Sequence, residues 1–185
     1  MARRPDLEKA AIRLTRILGP DECLLVGGMA VGAHGYVRAT KDVDFIVNTG
    51  LEAARARLIE HGISAQIERG NVMEGDFTCL KGTIDGVPFD VMPPLVPLDW
   101  SRSVKLPMAK GVTIQVVDLE GLIRLKFRAG GPRDLLDVAA LVLRHPQHVD
   151  LARELAVAYR VADKLEIWLS DPRLKAEVLE SRPKR

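Results

Sequence analysis

At 185 residues with 47% hydrophobic side chains, the chain can bury one substantial core, or one core with a helical appendage packed on it. Aromatics make up only 4%, so the core is expected to be aliphatic, and a platform of exposed rings for stacking single-stranded bases is not expected. Net charge is +2, divided unevenly: residues 1–100 carry 11 basic and 14 acidic side chains, residues 101–185 carry 16 and 11. The basic C-terminal half is compatible with phosphate or nucleic-acid partners, and equally with ordinary solvated helices.

Cys23 and Cys79 lie in apolar stretches without the spacing of a zinc site or the density of a disulfide framework, which points to a reducing, cytoplasmic setting. The segment after Met1 to Arg4 is charged and helical in pattern, so no secretory signal is read there. The longest uncharged run, Cys23 to Val37, contains four glycines and is too short to span a bilayer. No membrane partner is expected.

In chain order, Leu7, Ala11, Leu14 and Leu18 recur at helical spacing until Gly19-Pro20. Cys23 to Val26 reads as a short buried strand running into Gly27-Gly28, and Met29 to Ala33 as the start of a helix. Val43 to Val47 is a strand, and Leu51 to His61 a helix ended by Gly62. Ile63 to Glu68, Phe77 to Ile84 and Val87 to Met92 are further strands, the last two joined by the hairpin dipeptide Asp85-Gly86. Val112 to Val117 is one more. Helices are then expected at Leu119–Arg128, capped by Asp118, at Asp134–Leu143 after Gly130-Gly131-Pro132, and at Leu151–Leu169, with Arg173–Arg185 a charged tail. The predicted architecture is α/β: a mixed, mostly antiparallel-edged sheet flanked by helices over residues 1–117, and an α-helical part over 118–185 that closes over the active site.

The residues that carry chemistry are Gly27-Gly28, Asp42-Val43-Asp44 fourteen residues further on, and Phe89-Asp90-Val91 on a later strand. Side chains two apart on a strand share a face, which puts the Cα atoms of Asp42 and Asp44 roughly 6–7 Å apart with both carboxylates on one side. Like charges in apolar strands need neutralising, and a pair of divalent cations does this while accepting phosphate oxygens. Mg²⁺ suits three aspartates with no nearby His or Cys, because it is held by a few carboxylates plus water and triphosphate oxygens. Asp90, if its strand lies beside the first, supplies the third ligand and can orient or deprotonate an acceptor hydroxyl. The alternative is that Asp42 and Asp44 end a strand facing water and that Asp90 is a rim residue. The glycine pair tilts the balance, since it lets backbone N–H groups approach a phosphate at a helix N-terminus.

Together these residues resemble the pattern of the DNA polymerase β-like nucleotidyltransferases. More narrowly, Gly27-Gly28-x-Ala30, His34-Gly35, Arg38-x-Thr40-x-Asp42-x-Asp44 and Leu122-Ile123-x-Leu125-Lys126 with Asp134 and Asp137 resemble the minimal nucleotidyltransferases related to AbiEii-type toxins. The resemblance implies a polymerase β-like fold with Asp42, Asp44 and Asp90 as metal-binding catalytic residues and Gly27 and Gly28 on the triphosphate. It further implies that Lys126 reaches the triphosphate and that Asp134 completes the site, with NTP as donor, tRNA as acceptor and a cognate antitoxin as partner. Arg38 and Thr40 are expected to contact phosphate or to cap the turn into the strand. Transfer to a small molecule such as an aminoglycoside, or a silent member acting as a binding module, are the other readings. Relatives commonly carry a basic residue where this chain has Gly131, leaving Arg128 or Arg133 to take its role, or nucleotide affinity to be weak. His34 is expected to be packed or hydrogen-bonded, and His145 and His148 to lie at the surface.

Overall fold

The computed structural model describes residues 6–70 and 77–180. The described chain divides into two compact units, one running to Ala30 and resuming over Ala39–Asp118, the other taking Val31–Arg38 and the chain from Leu119.

The first unit is built on a seven-stranded sheet. Helix α1 (Leu7–Leu18) is capped by Asp6, whose carboxylate accepts from the Lys9 N–H at 3.0 Å, and it ends at Gly19 with φ 99°. Its buried stripe of Ala10, Ala11, Leu14, Ile17 and Leu18 follows the helical period. Strand β1 (Cys23–Val26) is buried at all four positions, as expected of a central strand covered on both faces. It runs into the short helix α2 (Gly27–Ala33). Then come β2 (Val43–Val47), α3 (Leu51–Glu60), β3 (Ala65–Glu68), β4 (Cys79–Ile84), β5 (Val87–Met92), β6 (Val104–Pro107) and β7 (Thr113–Val116).

The strand order is β3-β4-β5-β2-β1-β7-β6. Pairs β2–β5 and β1–β7 are parallel, and the other four are antiparallel. Helices α1 and α3 pack together, α1 on β2 and α3 on β3 and β4. The β4–β5 turn has Asp85 at φ 51° and Gly86 at φ 79°, the two left-handed residues of a type I′ hairpin that the sequence announces.

The second unit is helical: α4 (Leu119–Ala129), α5 (Pro132–Arg144), α6 (Val149–Ala158), α7 (Ala162–Ser170) and α8 (Pro172–Glu180). Helix α5 is its centre and packs against the other four. It buries Leu135 and the run Asp137–Val142. The segment Val31–Arg38 is tied to the helices of this unit at several points. The Tyr36 hydroxyl donates to Glu177 at 3.2 Å, the His145 ring lies 2.7 Å from the His34 carbonyl, and Gly35, at φ 97°, leaves room for the Arg144 side chain.

Four expectations change. Leu151–Leu169 is two helices, because Arg160 takes a left-handed φ of 58° with neither Gly nor Pro to mark the break. The charged tail contains α8, whose Leu174 and Val178, one turn apart, are buried; its last five residues lie outside the described chain. Strand β6 was not predicted: Val104 is 45% exposed at a sheet edge, so the strand carries no hydrophobic alternation to read. His145, expected at the surface, is half-buried and bonded to the His34 carbonyl.

A row of carboxylates and a buried charge network

Strand β5 lies beside β2 in parallel, and the register pairs Asp44 with Asp90 directly. Residues paired across a ladder project from the same face, so the two carboxylates share one side of the sheet while Phe45, Phe89 and Val91 are buried on the other. Asp42, two residues before Asp44, opens onto that side at the entry to β2, where the Thr40 hydroxyl donates to its carboxylate at 2.7 Å. Asp44 and Asp90 are half-buried and Asp42 is exposed. Burial, with the Asp42 charge nearby, pushes the Asp90 carboxyl above its ordinary value, while Lys81 pulls the other way.

Asp42, Asp44 and Asp90 are the residues that could hold a divalent cation. Among the described residues no three His, Cys, Asp or Glu side chains converge into a ready cage. Carboxylates in register, one of them raised by burial and a like charge, suit a hard ion that takes its remaining ligands from water and phosphate.

Gly27 is bound up with this row. Val26 pairs with Asp44 across β1–β2, and the next residue turns at φ 65° into α2. A Cβ built on Gly27 would collide with the Asp44 carboxylate. The glycine is therefore demanded twice, by its backbone conformation and by the carboxylate lying where a side chain would stand. Gly27 and Gly28 are the first two residues of α2, so their N–H groups have no acceptor within the helix.

Lys81 extends the row. On β4 it pairs in register with Asp90, so Asp44, Asp90 and Lys81 stand on three successive strands. Its ammonium bonds Glu68 at 3.1 Å, and Glu68 with Asp90 nearby holds its pKa above the ordinary value. A cavity of about 300 Å³ opens here between Glu68, Lys81 and Asp90. The sequence reading missed Lys81. The Asp85-Gly86 hairpin fixes its register opposite Asp90, so counting outward from that turn would have found it.

The second unit holds a charge network. Asp137 is fully buried and receives the Arg38 guanidinium in a two-pronged contact, Nε to Oδ1 at 2.5 Å and Nη2 to Oδ2 at 2.6 Å. Lys126, itself 8% exposed, bonds Asp137 at 2.8 Å and Asp134 at 2.7 Å. The Asp137 bond keeps Arg38 firmly protonated. Two cations and two carboxylates thus neutralise one another in a largely buried site. Asp134 also accepts from the Gly131 N–H at 3.1 Å, and a Cβ on Gly131 would stand 2.9 Å from the same carboxylate. With no side chain at position 131, that carboxylate turns to Lys126. Neither Arg38 nor Lys126 projects as an open cation, which spacing alone did not reveal.

Register-paired carboxylates beside a glycine turn, on a mixed sheet in a chain that continues into helices, are the arrangement expected of a nucleotidyltransferase. Residues 12–184 match the family model described as nucleotidyl transferase AbiEii toxin, type IV toxin–antitoxin system, and the chain belongs to that family. No curated protein sequence matches it. Solved structures that are similar include ANT(2″)-Ia in complex with adenylyl-2″-tobramycin, at 14% identity and TM-score 0.47, covering 93% of this chain and 98% of that one. JHP933 from Helicobacter pylori is similar at 16% identity and TM-score 0.41, with 94% and 88% covered. A tRNA nucleotidyltransferase complexed with a primer tRNA and an incoming ATP analogue is similar at 15% and 0.42, with 92% and 58% covered. At such scores none of them lends this chain a substrate. No described helix is long and apolar enough to cross a membrane.

Proposed function

We propose that this chain transfers a nucleoside monophosphate from an NTP to an RNA end, of tRNA in particular, and that it does so in the cytoplasm as the toxin of a toxin–antitoxin pair, its activity restrained by a cognate antitoxin. The observation that carries the reading is the register pairing of Asp44 with Asp90, with Asp42 on the same side. The acceptor hydroxyl attacks the α-phosphorus; the bond to the bridging oxygen breaks, pyrophosphate leaves, and the hydroxyl proton passes to a base. Asp90 is the base assigned to take that proton.

Asp42, Asp44 and Asp90 would hold Mg²⁺, two ions by the family pattern, supplying neutralisation of the triphosphate charge. Gly27 and Gly28 offer N–H groups to the phosphates at the start of α2. Thr40 holds the Asp42 carboxylate through its hydroxyl. Lys126 is assigned to nucleotide binding through the donor left over after its bonds to Asp134 and Asp137; Asp134 serves that task by keeping the ammonium in place, and Arg38 by fixing Asp137, which holds it too. Positioning and charge stabilisation suffice for this class of phosphoryl transfer.

RNA is favoured over a small acceptor by the basic C-terminal half of the chain and by the toxin family to which it belongs. The test is incubation with total RNA and each labelled NTP, resolved on a denaturing gel. A labelled RNA band that disappears in Asp44→Asn, at unchanged circular dichroism, is the expected result. Labelling of a small hydroxylated compound with no RNA band under any NTP overturns the RNA assignment.

A further inference from the structure

The chain has only eight aromatic residues, and the sheet unit is packed almost entirely with aliphatic side chains. Three of the eight, Phe127, Tyr159 and Trp168, nevertheless meet in the helical unit around one cavity of about 350 Å³. Phe127 and Tyr159 stack, ring centroids 5.8 Å apart and planes inclined by 27°. They come from the end of α4 and the break between α6 and α7, and Trp168 comes from the last turn of α7. Phe127 is buried, but Tyr159 is 41% exposed, Trp168 is half-buried and the adjoining Ile167 is 68% exposed.

Among the described residues, the polar side of the cavity carries one uncompensated cation, Lys164. Lys126 forms part of the wall with its ammonium fixed by Asp134 and Asp137, and Lys164 on α7 stands at the wall with no ion pair to any described residue. A mainly apolar cleft of this size with aromatic rings and one unpaired lysine at its wall suits one small ligand that is flat at one end and anionic at the other. Base–aromatic stacking is tolerant of sequence because every base has a π-face, and a free lysine complements phosphate.

We infer that the cavity between α4, α5 and α7 is a nucleotide subsite, in which Tyr159 and Trp168, backed by the buried Phe127, receive the base of a free NTP and Lys164 meets its phosphates. The inference rests on the NTP-using activity proposed above and gives the helical unit a nucleotide-binding place of its own. A free mononucleotide is the occupant because the cavity has room for one nucleoside and no row of rings continues from it to take a second base.

The experiment uses the full chain carrying Trp100→Phe, which leaves Trp168 as its one tryptophan. NTPs, the matching nucleosides and inorganic tripolyphosphate are titrated without divalent cation, and Trp168 fluorescence is read. Saturable quenching by NTP and by nucleoside, with none from tripolyphosphate, is expected. Tyr159→Ala should weaken both about tenfold or more, the loss of a single stacking partner. Lys164→Ala should weaken the NTP and leave the nucleoside unchanged. Because Tyr159 ends α6, Ile167→Asp on the exposed rim is a second variant that preserves the fold and should repel the NTP. An equal response to tripolyphosphate, no response to any NTP, or a response only to RNA oligonucleotides overturns the inference. RNA labelling run in parallel separates the two ideas. Transfer that persists while Trp168 stays silent and Tyr159→Ala leaves the KM for NTP unchanged refutes the subsite alone. Quenching by NTP without transfer to RNA supports the subsite and refutes the acceptor.

Discussion

Asp44 and Asp90 face one another across the parallel pair β2–β5, although they are 46 positions apart in the chain. The ladder adds the Asp90 charge to the Asp42 and Asp44 pair by placing it on the same face. Burial with Asp42 nearby raises the Asp90 carboxyl above its ordinary value of 3.8. A raised carboxyl in the folded state means that folding takes up a proton, so the stability it contributes is full below the unfolded value and is lost as pH rises through the folded value. Asp90→Asn should therefore raise the Tm in metal-free buffer at pH 7, with the gain shrinking to nothing below about pH 4. Thermal melts at the two pH values check this; an unchanged Tm at pH 7 means Asp90 carries no such burden.

Gly27→Ala sets a methyl group against the Asp44 carboxylate and forces a left-handed backbone on alanine. A loss of about 1–3 kcal/mol is expected from the backbone conformation, more if the carboxylate does not give way. Gly32→Ala is the control, because nothing lies within 4 Å of its Cβ; in a helix it should be neutral or stabilising by up to about 1 kcal/mol. Urea unfolding of both variants gives the comparison, and equal stabilities would dismiss the close approach.

Asp137→Ala removes the shared acceptor of Arg38 and Lys126 and leaves two cations in a largely buried place. Breaking a buried pair by removing one partner costs about 3–5 kcal/mol, so this variant should be barely folded. Lys126→Ala should also destabilise, by about 1–3 kcal/mol, because it strips partners from Asp134 and Asp137 instead of merely exchanging one good helix former for another. If denaturation finds Lys126→Ala as stable as the parent, the ammonium is free for phosphate alone.

Cys23 is buried, and desolvation pushes its thiol up to about 12; burial and the nearby Asp90 raise Cys79 as well. Thiolate is the reactive form, so both should resist alkylation in the native protein at pH 8 and react on unfolding. Rapid native labelling of Cys23, read by mass spectrometry, would contradict the packing of β1.

Sequence by itself determined the local units and their chemistry. The strand–glycine–helix order at Val26 and Gly27, the same-face spacing of Asp42 and Asp44, and the Asp85-Gly86 hairpin all rest on φ/ψ preference and on periods of two and 3.6 residues, which act between near neighbours. Which distant strands become neighbours was the decision of the tertiary structure. The β2–β5 pairing that brings Asp90 to Asp44, and the β4 register that adds Lys81, come from long-range burial of Phe45, Phe89 and Val91 on the opposite face. The helical unit makes the same point. Lys126, Asp134 and Asp137 can be read as a helix spacing, but Arg38, 99 positions from Asp137, completes the network only in the fold. Three scattered rings in a chain poor in aromatics become a cavity because Arg160 breaks one predicted helix into two and turns α7, with Trp168, back onto α5. Nothing local in the sequence encodes that turn, since an arginine adopts a left-handed φ only where the packing around it repays the strain.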